Sequence, residues 1–379
     1  MNTTISRIEA WACRVPLDSP ITFRWKTITH RDYTVVRVHT VDGAHGTAIG
    51  LSRSLPVDVV IADLLAPNLF GLDALDVTDV ADQLQRTTST GDQYGIVAPA
   101  RSLVDICLWD IRGKALGVPV WRLLGGNAAP APVMLVEGYE LPGETDEAFA
   151  RRLADRVEQG YRTLKLEAAG YEDVRVLARR LELTRELVGD DIELVVDVNG
   201  AWQNVREAAA AINTFAHTGP AWVEDAFPKH LIGLTERLRE AVDVPIGAGD
   251  EISNPSTLIG LLEADAVDYL RVDLTTLGGF VPTNDVVGAA RQRGVPISTH
   301  AHPVFHQHLS AAWSTVAHVE AFPDDRPFEP SHRLARESVY SRIDSGFLPP
   351  SSEPGIGLEL DLDLVTACAY RSHDLKGEV

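Results

Sequence analysis

The sequence predicts an α/β chain whose main body is a closed parallel (β/α)8 barrel, preceded by about 125 residues of α+β structure. Three observations predict it. From about residue 130 onward, eight short apolar runs alternate with amphipathic stretches. Runs buried on both faces and separated by helices mean parallel β/α units. Finally, almost every run ends on an ionisable residue, as expected where barrel strands deliver side chains to one mouth.

The elements follow in order. Ile5, Ile8 and Trp11 alternate as a strand and lead to a turn at Pro16 to Pro20. Residues 20–31 carry Phe23, Arg24 and Trp25 and are expected to be a loop. A second strand occupies Tyr33 to Thr40 and turns back at Val41-Asp42-Gly43. Helical patterns run from Val57 to Arg86 and from Ala100 to Leu116, the latter stopped by Gly117 and Pro119. The eight barrel strands are placed at Val133–Val136, Thr163–Lys165, Leu194–Asp197, Trp222–Glu224, Pro245–Gly247, Tyr269–Asp273, Pro296–Ser298 and His318–Glu320. Helices are placed at Glu147–Gln159, Val174–Leu187, Val205–Phe215, Leu234–Ala241 and Pro255–Leu262.

Composition narrows the class of protein. The 379 residues are 45% hydrophobic and 23% charged, an ordinary folded profile. Asp and Glu number 54 against 34 Lys and Arg, a net charge of −20 that repels nucleic acid and anionic membranes. No apolar run nears the roughly 18 residues of a membrane span, and the start lacks a signal-peptide pattern. Three scattered cysteines make neither a disulfide framework nor a metal site. A cytoplasmic protein is expected.

The strand ends carry the chemistry. Lys165 and Glu167 close the second strand, Asp197 the third, Glu224 the fourth, Asp250-Glu251 the fifth, Asp273 the sixth, His300 the seventh and Glu320 the eighth. The steps from Lys165 through Glu320 are 32, 27, 26, 23, 27 and 20 residues, about one β/α unit each. Asp197, Glu224 and Asp250 come from adjacent strands, and two carboxylates about 4 Å apart repel by roughly 4 kcal/mol at an effective dielectric of 20. A divalent cation removes that cost, and hard oxygen ligands suit Mg2+. His300 beside Asp273 suits a general base, because the carboxylate orients the imidazole and raises its pKa. His302, His306 and His308 lie close by, and His300-Ala-His302 has the spacing of a metal-binding pair, but on the seventh strand rather than the first. Lys165 is read as a base, an electrostatic stabiliser or the partner of a metal-ligand acid. Lys165 and Glu167 are also candidates to pair with each other.

Several segments together resemble the enolase superfamily, in its mandelate racemase and muconate-lactonizing branch. They are Ala100 to Gly126, Asp197-Val-Asn199-Gly-Ala-Trp202, Val272-Asp273 to Gly279, Ser298-Thr-His300 with His308 to Ala312, and Pro354 to Asp361. The resemblance implies a modified (β/α)8 barrel over residues 127–329 under an α+β capping domain. That domain is built from residues 1–126 and a returning segment, 330–379. It implies Mg2+ on Asp197, Glu224 and Asp250, with Glu251 as fallback ligand, a His300–Asp273 base dyad, and Glu320 hydrogen-bonding an enolate oxygen. It also makes residues 20–31 a mobile specificity loop, with Phe23, Arg24 and Trp25 binding substrate. The chain departs from the family at Glu167, where a second lysine base is usual, and at Gly249-Asp250-Glu251, where Gly-Glu is usual. With one effective base, the expected reaction is β-elimination of water from a hydroxy acid, with an acid sugar as the expected substrate. A racemase, epimerase or cycloisomerase using Lys165 or Glu167 is the alternative, and a non-catalytic acid-sugar-binding protein a further one. The expected partners are a small-molecule carboxylate substrate and further copies of the chain, with no nucleic acid and no membrane.

Overall fold

The alternating apolar residues of the first forty positions form two long antiparallel strands, β1 (Ile5–Phe23) and β2 (Lys26–Thr40). β3 (His45–Leu51) pairs with β2, and the last strand of the chain, β13 (Ala369–Lys376), pairs with β1, giving a sheet ordered β13-β1-β2-β3. The computed structural model describes residues 2–378 except 24, 25, 91–93, 172 and 327, and describes no side chain at Phe23.

The described residues of 20–31 are therefore strand rather than loop. Register holds from Ile21↔Ile28 to Phe23↔Lys26, and Pro16 to Pro20 is an irregularity within β1 rather than a turn. Proline lacks the N–H a ladder needs, which accounts for the register shift between Pro16 and Ile21. The expected roles of Arg24 and Trp25 lie outside the described residues. The helical stretch from Val57 is also broken. It runs as short turns to Asn68, reverses near Gly71, whose φ is +87°, and resumes as a helix at Val77–Thr87.

A buried helix, Val97–Leu116, leads to the barrel and ends on Gly117 in the left-handed conformation, a common helix stop. The barrel strands are β4 (Ala131–Val136), β5 (Thr163–Glu167), β6 (Glu193–Asp197), β7 (Trp222–Glu224), β8 (Ile246–Ala248), β9 (Tyr269–Val272), β10 (Ile297–Thr299) and β11 (Val316–Ala321). All eight are parallel, and β11 pairs with β4 to close the ring. Each expected strand is present.

Helices follow the first seven strands. Two of them, Phe280–Arg293 and Pro303–Ala312, were not foreseen. The second is buried along most of its length, so it has no polar face to create a period. Among the described residues no α-helix directly follows β11. The chain instead makes short helical turns, pairs β12 (Phe347–Leu348) with β4, and returns to the capping sheet as β13. This is the modified barrel that the resemblance implied.

The barrel interior is layered. Met134, Val195 and Trp222 fill the lower part, with Trp222 stacked on Tyr269 at 4.2 Å. Period-two alternation turns the same faces polar toward the mouth: Val195 is followed by Asp197, Trp222 by Glu224, and Tyr269 by Arg271 and Asp273.

Candidate active site

His300 and Asp273 lie just past the ends of β10 and β9. Strand pairing carries on through His300 N–H, which donates to Val272 O at 2.9 Å, and this sets the two side chains together. His300 Nδ1 is 2.9 Å from Asp273 Oδ2, while Asp273 Oδ1 accepts from Thr275 N–H and Thr275 Oγ1, both at 2.7 Å. Asp250 Oδ1 also lies 3.1 Å from His300 Nδ1. Burial alone would lower the His300 pKa, but Asp250 and Asp273 outweigh it and raise it to about 9. With Nδ1 held by carboxylates, Nε2 is the nitrogen left for chemistry.

On the other side of the mouth stands Lys165, buried in β5. Its Nζ is 3.1 Å from Asp197 Oδ2, 2.9 Å from Glu224 Oε1 and 2.7 Å from Glu320 Oε2. Those carboxylates overcome its burial and raise its pKa well above the usual lysine range. The lysine is thus a fixed cation, and it pairs with these three acids rather than with Glu167. Glu167 accepts from Ala169 N–H at 3.0 Å, and burial lifts its pKa to about 7 against the pull of Lys165.

Glu320 differs from expectation. Despite burial, Lys165 and Arg271 hold its pKa down to about 2, so in this arrangement it is an ionised acceptor and not a hydrogen-bond donor. Its Oε1 accepts from Ala301 N–H at 3.0 Å.

Of the three expected metal ligands, Asp197 and Asp250 line the mouth, and Glu224 sits wholly buried beside them. Glu251, the fallback, turns away to Arg53 of the capping domain, with 2.7 Å between Arg53 Nε and Glu251 Oε1. Among the described residues no group of three or more His, Cys, Asp or Glu is already gathered at metal-binding distances. Lys165 stands between Asp197 and Glu224 instead. The donor chemistry nonetheless fits a hard cation. All three expected ligands are carboxylates at neighbouring strand ends, and Asp250 Oδ1 is buried with an ion-pair contact to His300 but no hydrogen bond. Burial raises Asp197 well above the carboxylate range. Despite burial, His300 and Lys229, whose Nζ is 3.5 Å from Asp250 Oδ2, hold Asp250 well below it, so the want of positive charge is at Asp197.

The mouth also holds groups that sequence reasoning missed. Arg31 and Arg53 reach it from the capping domain, with Tyr139, Phe322 and Glu329 around them. Arg31 Nε donates to Phe328 O at 3.1 Å and lies 3.5 Å from Glu329 Oε2, and Tyr33 Oη donates to Glu329. Nothing in the local pattern around residues 31 and 53 marks them, since they join the site only through domain packing. Arg271 was missed as well, although strand alternation, which puts it on the face of Asp273, was a signal that could have found it. The free volume at the mouth is about 40 Å3, small beside the roughly 300–1,000 Å3 of an open ligand pocket. Ile21, near the tip of the β1–β2 hairpin, is buried in a cluster with Val136, Tyr139, Ala301 and Phe322. The capping hairpin thus lies closed over the site.

A barrel with a His–Asp pair and buried carboxylates at its C-terminal mouth, under a capping domain, defines a class of barrel enzymes. The chain belongs to the mandelate racemase/muconate lactonizing enzyme branch of the enolase superfamily. The family's N-terminal domain model matches residues 7–125 and the enolase C-terminal domain-like model residues 148–364. The N-succinyl-L-Arg/Lys racemase of Bacillus cereus is 24% identical, over 95% of this chain and 96% of that one. The L-talarate/galactarate dehydratase of Salmonella typhimurium is 26% identical, over 81% of this chain and 79% of that one. In fold, the L-talarate dehydratase of Polaromonas sp. JS666, solved with Mg and L-glucarate, aligns with a TM-score of 0.87 and 23% identity, covering 99% of this chain and 100% of that one.

Proposed function

We propose that this chain is a Mg2+-dependent lyase that removes water from a hydroxy acid, with an acid sugar as substrate. The observation that carries the reading is the asymmetry of the site: one imidazole base held by Asp273, and no second free amine facing it, because Lys165 is locked among three carboxylates. Dehydratases of acid sugars among its relatives support it.

Asp197, Glu224 and Asp250 would hold the cation. When bound, it supplies Lewis acidity that draws charge from the substrate carboxylate and acidifies the α-carbon proton. His300 Nε2 takes that proton. Lys165, a fixed ammonium, stabilises negative charge growing on the carboxylate, the part the sequence had assigned to Glu320. The β-carbon–oxygen bond then breaks, and the leaving hydroxide takes the proton from His300 and departs as water. The enol left behind tautomerises to a 2-keto-3-deoxy acid. Departure from the same side as the α-proton makes the elimination syn. Hairpin closure with Arg31 and Arg53 excludes bulk water.

One observation favours a second reading, a racemase or epimerase. Glu167 lines the same mouth as His300, and its pKa of about 7 suits a proton carrier near neutral pH. A panel of acid sugars and N-acylated amino acids incubated in D2O separates the two. A semicarbazide-reactive keto acid is expected, with Glu167→Gln keeping a measurable rate. An α-epimer as sole product, abolished in Glu167→Gln, would overturn the lyase reading.

A further inference from the structure

Arg271 occupies the middle of β9 and is wholly buried, yet the mechanism above gives it no part. Its guanidinium reaches three other strands. Nε lies 3.0 Å from Glu224 Oε1 on β7, and Nη2 lies 2.5 Å from Glu320 Oε2 on β11. Nη1 donates to Ser298 Oγ and Thr299 O on β10, both at 2.7 Å. Lys165 on β5 touches the same two carboxylate oxygens, at 2.9 Å and 2.7 Å.

The four side chains therefore form a closed ring in which cation and carboxylate alternate: Lys165, Glu224, Arg271, Glu320. They come from β5, β7, β9 and β11, every second strand of the barrel. Barrel interiors are filled in such layers of four, one residue from each alternate strand, and bulky branched apolar residues dominate those layers. Here one whole layer is ionic and electrically balanced. It is the floor on which the site rests, above the apolar layer of Met134, Val195 and Trp222.

We infer that Arg271 is a positioning residue for the site: it fixes Glu224 and Glu320 from beneath, so that Glu224 is oriented toward the cation and Lys165 is shared among its carboxylates rather than captured by one. The geometry makes the case. A planar guanidinium has donors in a rigid fork: here Nη2 is bonded to Glu320, Nη1 is tied to β10, and Nε lies 3.0 Å from Glu224 as a charge contact without a hydrogen bond, the two carboxylates being on strands that flank its own at one remove. Lys165 reaches the same two oxygens with a single ammonium, so what sets Arg271 apart is the further arm that ties the pair to β10. Without Arg271, one lysine would face two buried carboxylates that repel each other, each left with one further bond, Glu224 Oε2 from Trp222 Nε1 at 3.2 Å and Glu320 Oε1 from Ala301 N–H at 3.0 Å. The inference rests on the proposed metal role of Glu224.

The test compares Arg271→Gln and Arg271→Lys with the wild-type chain. Mg2+ binding is measured by calorimetry, and kcat and KM are measured separately. Loss of an outer partner of a metal ligand costs about 10–100-fold in metal affinity or activity. Arg271→Gln is therefore expected to weaken Mg2+ binding and lower kcat within that range, with KM for the substrate moving less. Arg271→Lys, which keeps the charge without the fork, is expected to fall between, and it decides the matter by itself if Arg271→Gln does not fold. Arg271→Lys equal to wild type would overturn the inference, since a point charge would then suffice. Tighter Mg2+ binding in Arg271→Gln would also overturn it, since Arg271 would then be only a repelling charge. A wild-type chain that binds no Mg2+ overturns the proposed function together with this inference. Wild-type binding with Arg271→Gln unchanged in affinity and kcat overturns this inference alone.

Discussion

His300 shows how one residue's duty is set by its neighbours. Asp273 and Asp250 both face Nδ1, so the imidazole presents Nε2 to the mouth. His300→Asn should therefore lose at least about 10²–10⁴-fold in turnover, the usual share of general acid–base catalysis. It should also cease exchanging the substrate α-proton with D2O, as followed by NMR. Exchange at the wild-type rate would move the base elsewhere. Asp250 and Glu251 make the same point by contrast. Adjacent and both acidic, they divide between the site and a capping-domain arginine because Glu251 adopts a left-handed backbone, with φ at +51°, and turns out to Arg53.

At the scale of elements, the β1–β2 hairpin acts as the cover. The end of β1 passes so close to the loop after β5 that a Cβ on Gly170 would stand 3.0 Å from Thr22 O. Gly170→Val should therefore push this end of β1 away from the mouth. The expected result is a lower kcat/KM with a stability change within about 0.5 kcal/mol, the usual range for peripheral substitutions. Steady-state kinetics beside urea unfolding checks both. A second element, the turn after Asp273, is held by the capping domain. Ser102 Oγ accepts from Gly278 N–H at 2.7 Å and Asp105 Oδ2 from Phe280 N–H at 2.6 Å. A Cβ on Gly279 would collide with Asp105 at 2.2 Å, and its φ is +99°, so only glycine fits there. The Gly278-Gly279 motif is thus a contact between domains as much as a turn.

For the whole molecule, the joint between domains runs through Asp110 and His308. Asp110 accepts from Thr47 N–H of β3 at 3.0 Å and from Ile356 N–H of the returning segment at 2.9 Å. His308, on a barrel helix, accepts at Nδ1 from Trp121 N–H at 3.2 Å and donates from Nε2 to Ile356 O at 3.0 Å. Acceptance at Nδ1 requires the neutral ring, and burial lowers its pKa to about 4. The unfolded chain takes up this proton near pH 6.5, the folded chain only near 4. His308 therefore contributes its full stabilisation above pH 6.5, and that contribution is lost as the pH falls toward 4. Within this window each pH unit removes up to about 1.4 kcal/mol. Urea unfolding at pH 7.5 and 5.5 should show the loss, and His308→Gln, whose amide can still donate to Ile356 O, should flatten it. An unchanged slope in that variant would mean that other groups carry the acid sensitivity.

How far the site was legible follows from what is local. All eight barrel strands, and Asp197, Glu224, Asp250, Asp273, His300 and Glu320 at their ends, could be placed because apolar runs and period-two alternation are properties of neighbouring residues. The Pro303–Ala312 helix escaped because burial on all sides erases periodicity. The 20–31 hairpin escaped because its bulky polar residues conceal a ladder that only pairing reveals. The ionisation of Glu320, the capture of Lys165 by three acids and the entry of Arg31 and Arg53 escaped for a deeper reason. Each depends on which strands face one another once β11 closes on β4 and the capping sheet settles over the mouth. By itself the sequence determined the barrel and the kinds of group at its mouth. The closed tertiary structure alone decided which charges meet, because Coulomb energies depend on through-space distance and burial, and neither is a property of chain position.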